Sequence, residues 1–351
     1  METITGIAWT MLGAVFLGTF ALPSKYIKNY AWENTWGAFF LFAMLVVPVG
    51  FAMLAVNGLW DTYADVSWPV ILGVLGLSFL WGCGFCCWGY GLSMVGLSLG
   101  YSLTMGTMAL VGSMVPFFLG SADKAATTGG MIVIAGILVC ILGVAVNGYA
   151  GVRRERSQPG DEAEGEPRRK KRMALGLVVC VVAGVLSSGL NIAFHIGNNV
   201  GKIAEISEGL GNPAWAAGLS TWTLVFLGGM ISSVGFSLIM LTKNKTWKGF
   251  ANVATGRNLV LAFLMAAAHF ACIVFYGIGG GILGVLGTSV GFSIFQSGSL
   301  LLGNGLGFFT GEWKGAGTGS KGWLFAGLAV LILGIVVVSY GNYTISLAET
   351  P

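Results

Sequence analysis

The sequence predicts an all-α polytopic membrane protein, with ten transmembrane helices arranged as two inverted five-helix repeats. Three observations predict it. The chain is apolar almost throughout, its few charges gather between the apolar runs, and short pieces of the first half return in the second half at one constant spacing.

The composition comes first. Of 351 residues, 55% are hydrophobic and only 9% are charged, and the mean hydropathy is +0.82. Soluble domains carry about 25% charged residues. A chain this poor in charge cannot cover a globule with polar surface, so most of its length faces lipid. Its 57 glycines suit closely packed membrane helices. The six cysteines all fall in apolar runs and outline no disulfide framework. The C-x-x-C within "CGFCC" has no further Cys or His nearby to complete a metal site. The glycine-rich "GIGGGILGVLG" lacks the preceding strand and following Lys of a nucleotide loop, so it reads as helix packing. The first apolar run has no basic region before it and no small-residue cleavage site, and reads as a retained first span.

A membrane span needs about 20 apolar residues. By that rule the spans fall at 5–24, 35–56, 69–94, 98–120, 129–149, 173–195, 214–241, 259–279, 282–309 and 322–345. Spans three and four are joined only near Gly96, and spans eight and nine only through "GIGGGILG". Between spans five and six lies "GVRRERSQPGDEAEGEPRRKKR", residues 151–172, a solvated and flexible linker by composition. It divides the chain into a first repeat (1–150) and a second (173–351).

The halves are related. "PFFLG" at 116–120 matches "GFFTG" at 307–311, and "CILGVAVNGY" at 140–149 matches "LILGIVVVSY" at 331–340. Both matches sit at one offset (117 to 308 and 140 to 331, each 191). Five spans per half turn the second half upside down relative to the first, the arrangement of secondary transporters. The charges agree. Two of the 18 Lys and Arg residues follow span one, eight lie in the linker, four follow span seven and two follow span nine. The other side keeps only Lys124 and Lys202. The positive-inside rule then puts the linker in the cytoplasm and both termini outside. The basic linker orients the chain and touches anionic lipid.

Short motifs add a family. "PSKYIKNYAWENTW" (Pro23 to Trp36) joins the first two spans. "WGCGF" (81–85), "YGLSMVGLSLG" (90–100) and "GEWKGAG" (311–317) follow in order. Together, on ten spans with a polar central linker, they resemble the L-rhamnose–proton symporter family of the drug/metabolite transporter superfamily, over nearly the whole chain. The resemblance implies import of a deoxy-sugar, L-rhamnose first, with a proton, by alternating access across a bacterial inner membrane. It implies a sugar substrate, a monomer or homodimer, no cofactor beyond the coupling ion and no nucleic acid. Sodium bound by carbonyls and hydroxyls stays open as the alternative ion, because no Asp or Glu lies in the middle of a span. An exporter of small lipophilic compounds or metabolites is the alternative function on the same fold. No nucleophile–base arrangement suggests an enzyme.

Polar residues at membrane depth are costly and are functional candidates. His269 lies in the middle of span eight, and His195 near the end of span six. Either can carry the coupling proton or make a structural hydrogen bond between helices. Lys25 and Glu33, at the ends of spans one and two, read either as a snorkelling surface pair or as an inner gate, and Lys25 can also reach a sugar hydroxyl. Sugars bind through aromatic faces and amide hydrogen bonds. Trp9, Trp81, Trp88, Tyr101, Trp222, Tyr276, Asn191, Gln296 and Asn304 supply these at depth, although a lone aromatic there more often packs or faces lipid. Gln296 and Asn304, eight apart, share roughly one helix face. Trp32, Trp36, Trp60, Trp68, Trp215 and Trp323 lie near span ends and read as the interfacial belt.

Overall fold

A helix that crosses lipid must satisfy its own backbone, and this chain does so nearly everywhere. The computed structural model describes residues 2–95, 97–156, 166–309 and 313–349, and no strand occurs among them. Fourteen α-helices run in order: α1 (Glu2–Thr19), α2 (Trp32–Leu41), α3 (Val47–Ala55), α4 (Leu59–Ala64), α5 (Trp68–Val95), α6 (Leu97–Ser121), α7 (Thr128–Arg156), α8 (Glu166–Ser187), α9 (Gly189–His195), α10 (Ile203–Gly209), α11 (Ala214–Lys243), α12 (Thr255–Ile282), α13 (Phe292–Phe309) and α14 (Thr318–Glu349). Nine helical segments among the described residues are long and apolar enough to cross a membrane.

The stretch predicted as span nine is the exception. It opens with a 3₁₀ turn (Gly284–Leu286) and a π-turn (Gly287–Gly291), which leaves only the 18 residues of α13 as regular helix. Two other segments carry π-turns. Phe42–Val46 separates α2 from α3 just before Pro48, where the missing proline N–H prevents a regular ladder. Ile196–Val200 ends the α8–α9 segment. The linker is also shorter than its composition predicts. Helix α7 runs on to Arg156 and α8 begins at Glu166, because Arg, Lys and Glu propagate helix well. Residues 157–165, Gly96, and Gly311 and Glu312 of "GEWKGAG" lie outside the described residues.

Helix α7 lies along α14, α5 along α8 and α11, α1 along α12 and α13, and α6 along α7 and α8. The α7–α14 seam is built from glycines. A Cβ placed on Gly129, Gly136 or Gly143 of α7 would meet Ile345, Val338 or Leu331 of α14 within 3 Å. A Cβ on Gly327, Gly334 or Gly341 of α14 would in turn meet Asn147, Cys140 or Val133 of α7. Glycines at seven-residue intervals on both helices therefore each receive a side chain from the other, in strict antiparallel register. Lacking a Cβ is what allows the two backbones to approach this closely.

The bundle has one basic end. Arg153 and Arg154 at the end of α7, Lys243 at the end of α11, and the connections carrying Lys25, Lys28, Lys245 and Lys248 gather there. Arg154 lies over the Trp313 ring at 4.8 Å, and the α1–α2 connection meets the segment after α11 where the Tyr30 and Phe250 rings touch and Asn252 reaches the Asn29 carbonyl.

Candidate functional site

At the end opposite the basic one, a cavity of about 720 Å³ opens between the α9 segment, α10, α11 and α12. Its mouth carries the exposed Glu205, Glu208 and Trp215, and its wall reaches inward to Phe194, Trp222, Gly277 and Thr288. Every lining residue falls between 194 and 288.

The two π-turns place the polar groups. A π-turn's extra residue rotates the side chains that follow it, and such turns recur at functional sites. The turn at Ile196–Val200 presents Asn198 and Asn199, and the turn at Gly287–Gly291 presents Thr288. Thr221 donates to Asn198 Oδ1 at 2.5 Å. Thr288 Oγ1 and Asn199 Nδ2 both reach His195 Nδ1, at 2.7 and 3.0 Å. With the Asn199 amide donating, Nδ1 is the acceptor and a neutral ring carries its proton on Nε2. His195 is thus buried one layer behind the wall, joined to it through two side chains that line the cavity.

Beneath this layer lies Asn191, which is fully buried. Its Nδ2 donates to the Gly112 and Thr288 carbonyls, and its Oδ1 accepts from the Tyr276 hydroxyl. Both amide hydrogens are used within the protein. Asn191, expected to face a sugar, instead ties α9 to α6, α12 and the second π-turn.

Trp222 packs face to face on Phe194, with centroids 3.9 Å apart and planes 10° from parallel. Tyr276 and Phe226 meet it from other sides. One of its faces is therefore taken, and the indole offers the cavity its edge. Trp215, at 48% exposure on the mouth, is the aromatic with a face to offer.

The remaining predicted residues lie deeper or at the basic end. Trp81 packs on Phe226. His269 is enclosed by the rings of Phe20, Phe39 and Phe226 at 5.1–5.9 Å, and its Nδ1 has no hydrogen-bond partner among the described residues. Trp88 and Tyr101 meet each other at 5.9 Å toward the basic end. Gln296 is buried, while Asn304 is half-buried and bonds back to Leu300 of its own helix. The shared face of these two amides does not reach the cavity. Lys25 is exposed. Glu33 is buried and accepts from Asn244 Nδ2 at 3.0 Å and Thr246 Oγ1 at 2.7 Å, from the segment that follows α11.

The cavity also shows what the sequence reading passed over. Asn198, Asn199, Thr288, Glu205 and Glu208 were not among the candidates. The doublet Asn198–Asn199, three and four residues after a buried histidine, is the one signal that would have found part of the set. Among the described residues no group of His, Cys, Asp and Glu is placed to hold a metal ion.

Fold and site together define a polytopic membrane protein with a solute-sized cavity walled by aromatic rings and amides. The sequence profile of the L-rhamnose-proton symport protein family (RhaT) matches residues 1–344, and the chain belongs to that family. It is similar to the L-rhamnose-proton symporter of Pectobacterium atrosepticum, 26% identical over 345 residues, covering 96% of this chain and 98% of that protein. It is 27% identical over 343 residues to those of Escherichia coli O1:K1 and Shigella boydii serotype 18, covering 96% of this chain and 97% of each relative. The family is one of transporters, not of enzymes.

Proposed function

We propose that this protein imports L-rhamnose together with a proton by alternating access, and that the cavity at the end opposite the basic one is its entry site. The observation that carries the reading is family membership over residues 1–344. The cavity's chemistry agrees with it. A neutral deoxy-sugar needs an aromatic face, which Trp215 offers, and paired amides and hydroxyls, which Asn198, Asn199 and Thr288 offer.

The coupling proton goes to His195. A proton arriving on Nδ1 cannot coexist with the amide hydrogen that Asn199 directs there. Protonation therefore frees the Asn199 N–H for a sugar hydroxyl, and a bound sugar that takes the N–H frees Nδ1 for a proton. Each ligand favours the other through one amide, which is reciprocal linkage. A carboxylate is not needed for this, and the family gives sodium no support.

The ten-span inverted repeat remains our reading of the architecture, with segment 287–309 as the short ninth span. Two things support it. Gly136 and Gly143 recur as Gly327 and Gly334 at the offset of the sequence repeats (136 to 327 and 143 to 334, each 191). The pairing of α5 with α8 and α11 is answered by the pairing of α12 with α1 and α2. On this topology the basic end is cytoplasmic, the cavity faces outward and both termini lie outside. The chain resides in the bacterial inner membrane as a monomer or homodimer.

The test is uptake of labelled L-rhamnose into proteoliposomes, with and without an inward proton gradient. Accumulation above equilibrium only with the gradient is expected. Uptake that ignores the gradient would remove the proton from the reading, and no uptake would remove the sugar.

A further inference from the structure

Trp222 carries a donor that nothing in the fold uses. The side chain is 1% exposed, and its Nε1 has no hydrogen-bond partner among the described residues. Leaving a buried donor unpaired is costly, and buried indole N–H groups usually find an acceptor. The stack on Phe194 prevents the ring from turning to find one. Across from this N–H stands Gly277. A Cβ built on Gly277 would lie 2.7 Å from Nε1, and its next nearest atoms, at 3.5 and 3.8 Å, also belong to Trp222. Even a methyl group at this position would crowd the indole edge, so only glycine leaves it unobstructed on this side. Trp222 and Gly277 line the same cavity.

We infer that the Trp222 N–H is the hydrogen-bond donor to one hydroxyl oxygen of the transported solute, and that Gly277 is a specificity residue because any side chain there would press on the indole edge that carries this donor. The inference rests on the cavity being the sugar site. Trp222 works through its edge, as a donor, and not as a stacking platform. Its rigidity makes the contact selective, since a donor held by packing cannot shift to meet a misplaced oxygen. A site built around such a donor rejects analogues that lack the matching hydroxyl more strongly than a purely apolar wall would.

The test measures binding of labelled L-rhamnose to the purified full-length protein, for wild type, Trp222→Phe, Gly277→Ala and the double variant, with competition by rhamnose analogues each lacking one hydroxyl. Phenylalanine keeps an aromatic ring against Phe194 and removes the N–H. Trp222→Phe is expected to weaken rhamnose binding by about 5–10-fold. Gly277→Ala is expected to weaken it at least as much, and the double variant no more than the stronger single one. One analogue should bind wild type more weakly by a similar factor, yet compete as well as rhamnose at Trp222→Phe. Rhamnose binding to Trp222→Phe at wild-type affinity would overturn the inference while leaving the sugar reading intact. If a variant does not fold, the wild-type analogue series decides alone, and equal competition by every analogue overturns the inference. No binding of rhamnose by wild type overturns the sugar reading and this assignment with it.

Discussion

His195 shows how much one nitrogen decides. Its Nδ1 is reached by Thr288 and Asn199, both on the cavity wall, whereas His269 sits in a cage of three phenylalanines with no hydrogen-bond partner for its Nδ1 among the described residues. The proposed coupling therefore predicts different behaviour for the two. His195→Gln should abolish gradient-driven accumulation of L-rhamnose, by 10-fold or more as an order of magnitude, yet keep rhamnose–rhamnose exchange, which needs no net proton movement. His269→Phe should retain accumulation, because an aromatic ring fills the same cage. Accumulation lost in His269→Phe and kept in His195→Gln would move the proton to the deeper histidine. Depth was legible in the sequence for both, since a histidine inside an apolar run announces itself. Their surroundings were not. Phe20, Phe39 and Phe226 come from three different spans, and Asn198 and Asn199, just past predicted span six, and Thr288, inside predicted span nine, carry no local mark of a site until the π-turns present them to the cavity.

Among the elements, the connections do the closing. At the basic end, Glu33 accepts from Asn244 and Thr246, and Asn34 Nδ2 donates to the Thr246 carbonyl at 3.0 Å. Asn258, at the start of α12, holds both backbone groups of Lys28: its Nδ2 donates to the carbonyl at 2.7 Å and its Oδ1 accepts from the N–H at 3.2 Å. At the opposite end, Asn212 does the same to Asn57, at 2.8 and 2.7 Å. The sequence left Glu33 and Lys25 either as a snorkelling surface pair or as an inner gate. The hydrogen bonds of Glu33 run instead to the segment after α11, more than 200 residues away, which local spacing could not reveal. Hydrogen bonds to a carboxylate contribute about 1.5–3 kcal/mol each way of counting them, so this clasp is strong enough to bias a two-state equilibrium. Glu33→Ala should loosen the basic end. Cys83, Cys86 and Cys87 are half-buried on α5, whose Phe85 packs on Trp36 of α2. Their alkylation by a membrane-impermeant maleimide added from the linker side should speed up several-fold in Glu33→Ala. An unchanged rate, in a variant that melts like wild type, would mean that the clasp does not gate.

For the whole molecule, the α7–α14 seam joins the two halves. Its glycine content was legible in the sequence as a sign of close helix packing. The register was not, because it needs both helices in place: a glycine is informative only once the side chain opposite it is known. On the inverted-repeat reading, these are the fifth helices of the two repeats, and the seam is the part that stays fixed while the cavity end and the basic end alternate. This assigns it to stability and not to the transport cycle, and glycine substitutions on and off the seam separate the two. At Gly136 a methyl group would lie 2.5 Å from the Val338 backbone nitrogen. Backbone cannot rotate out of the way, so the helices must part, at a cost of roughly 1–3 kcal/mol. Gly322, on α14, has nothing within 4 Å of its Cβ position, and there alanine removes only the entropic penalty of glycine in a helix, about 0.5–1 kcal/mol in favour of the fold. The same exchange should therefore have opposite signs. The thermal midpoint of detergent-solubilised Gly136→Ala should fall by several degrees, and that of Gly322→Ala should hold or rise slightly. Folded Gly136→Ala, measured well below its midpoint, should still accumulate rhamnose with wild-type KM, because no residue of the seam lines the cavity. A stable Gly136→Ala that binds normally but no longer transports would mean that the seam itself must slide during the cycle, and the pivot would then have to be sought elsewhere in the bundle.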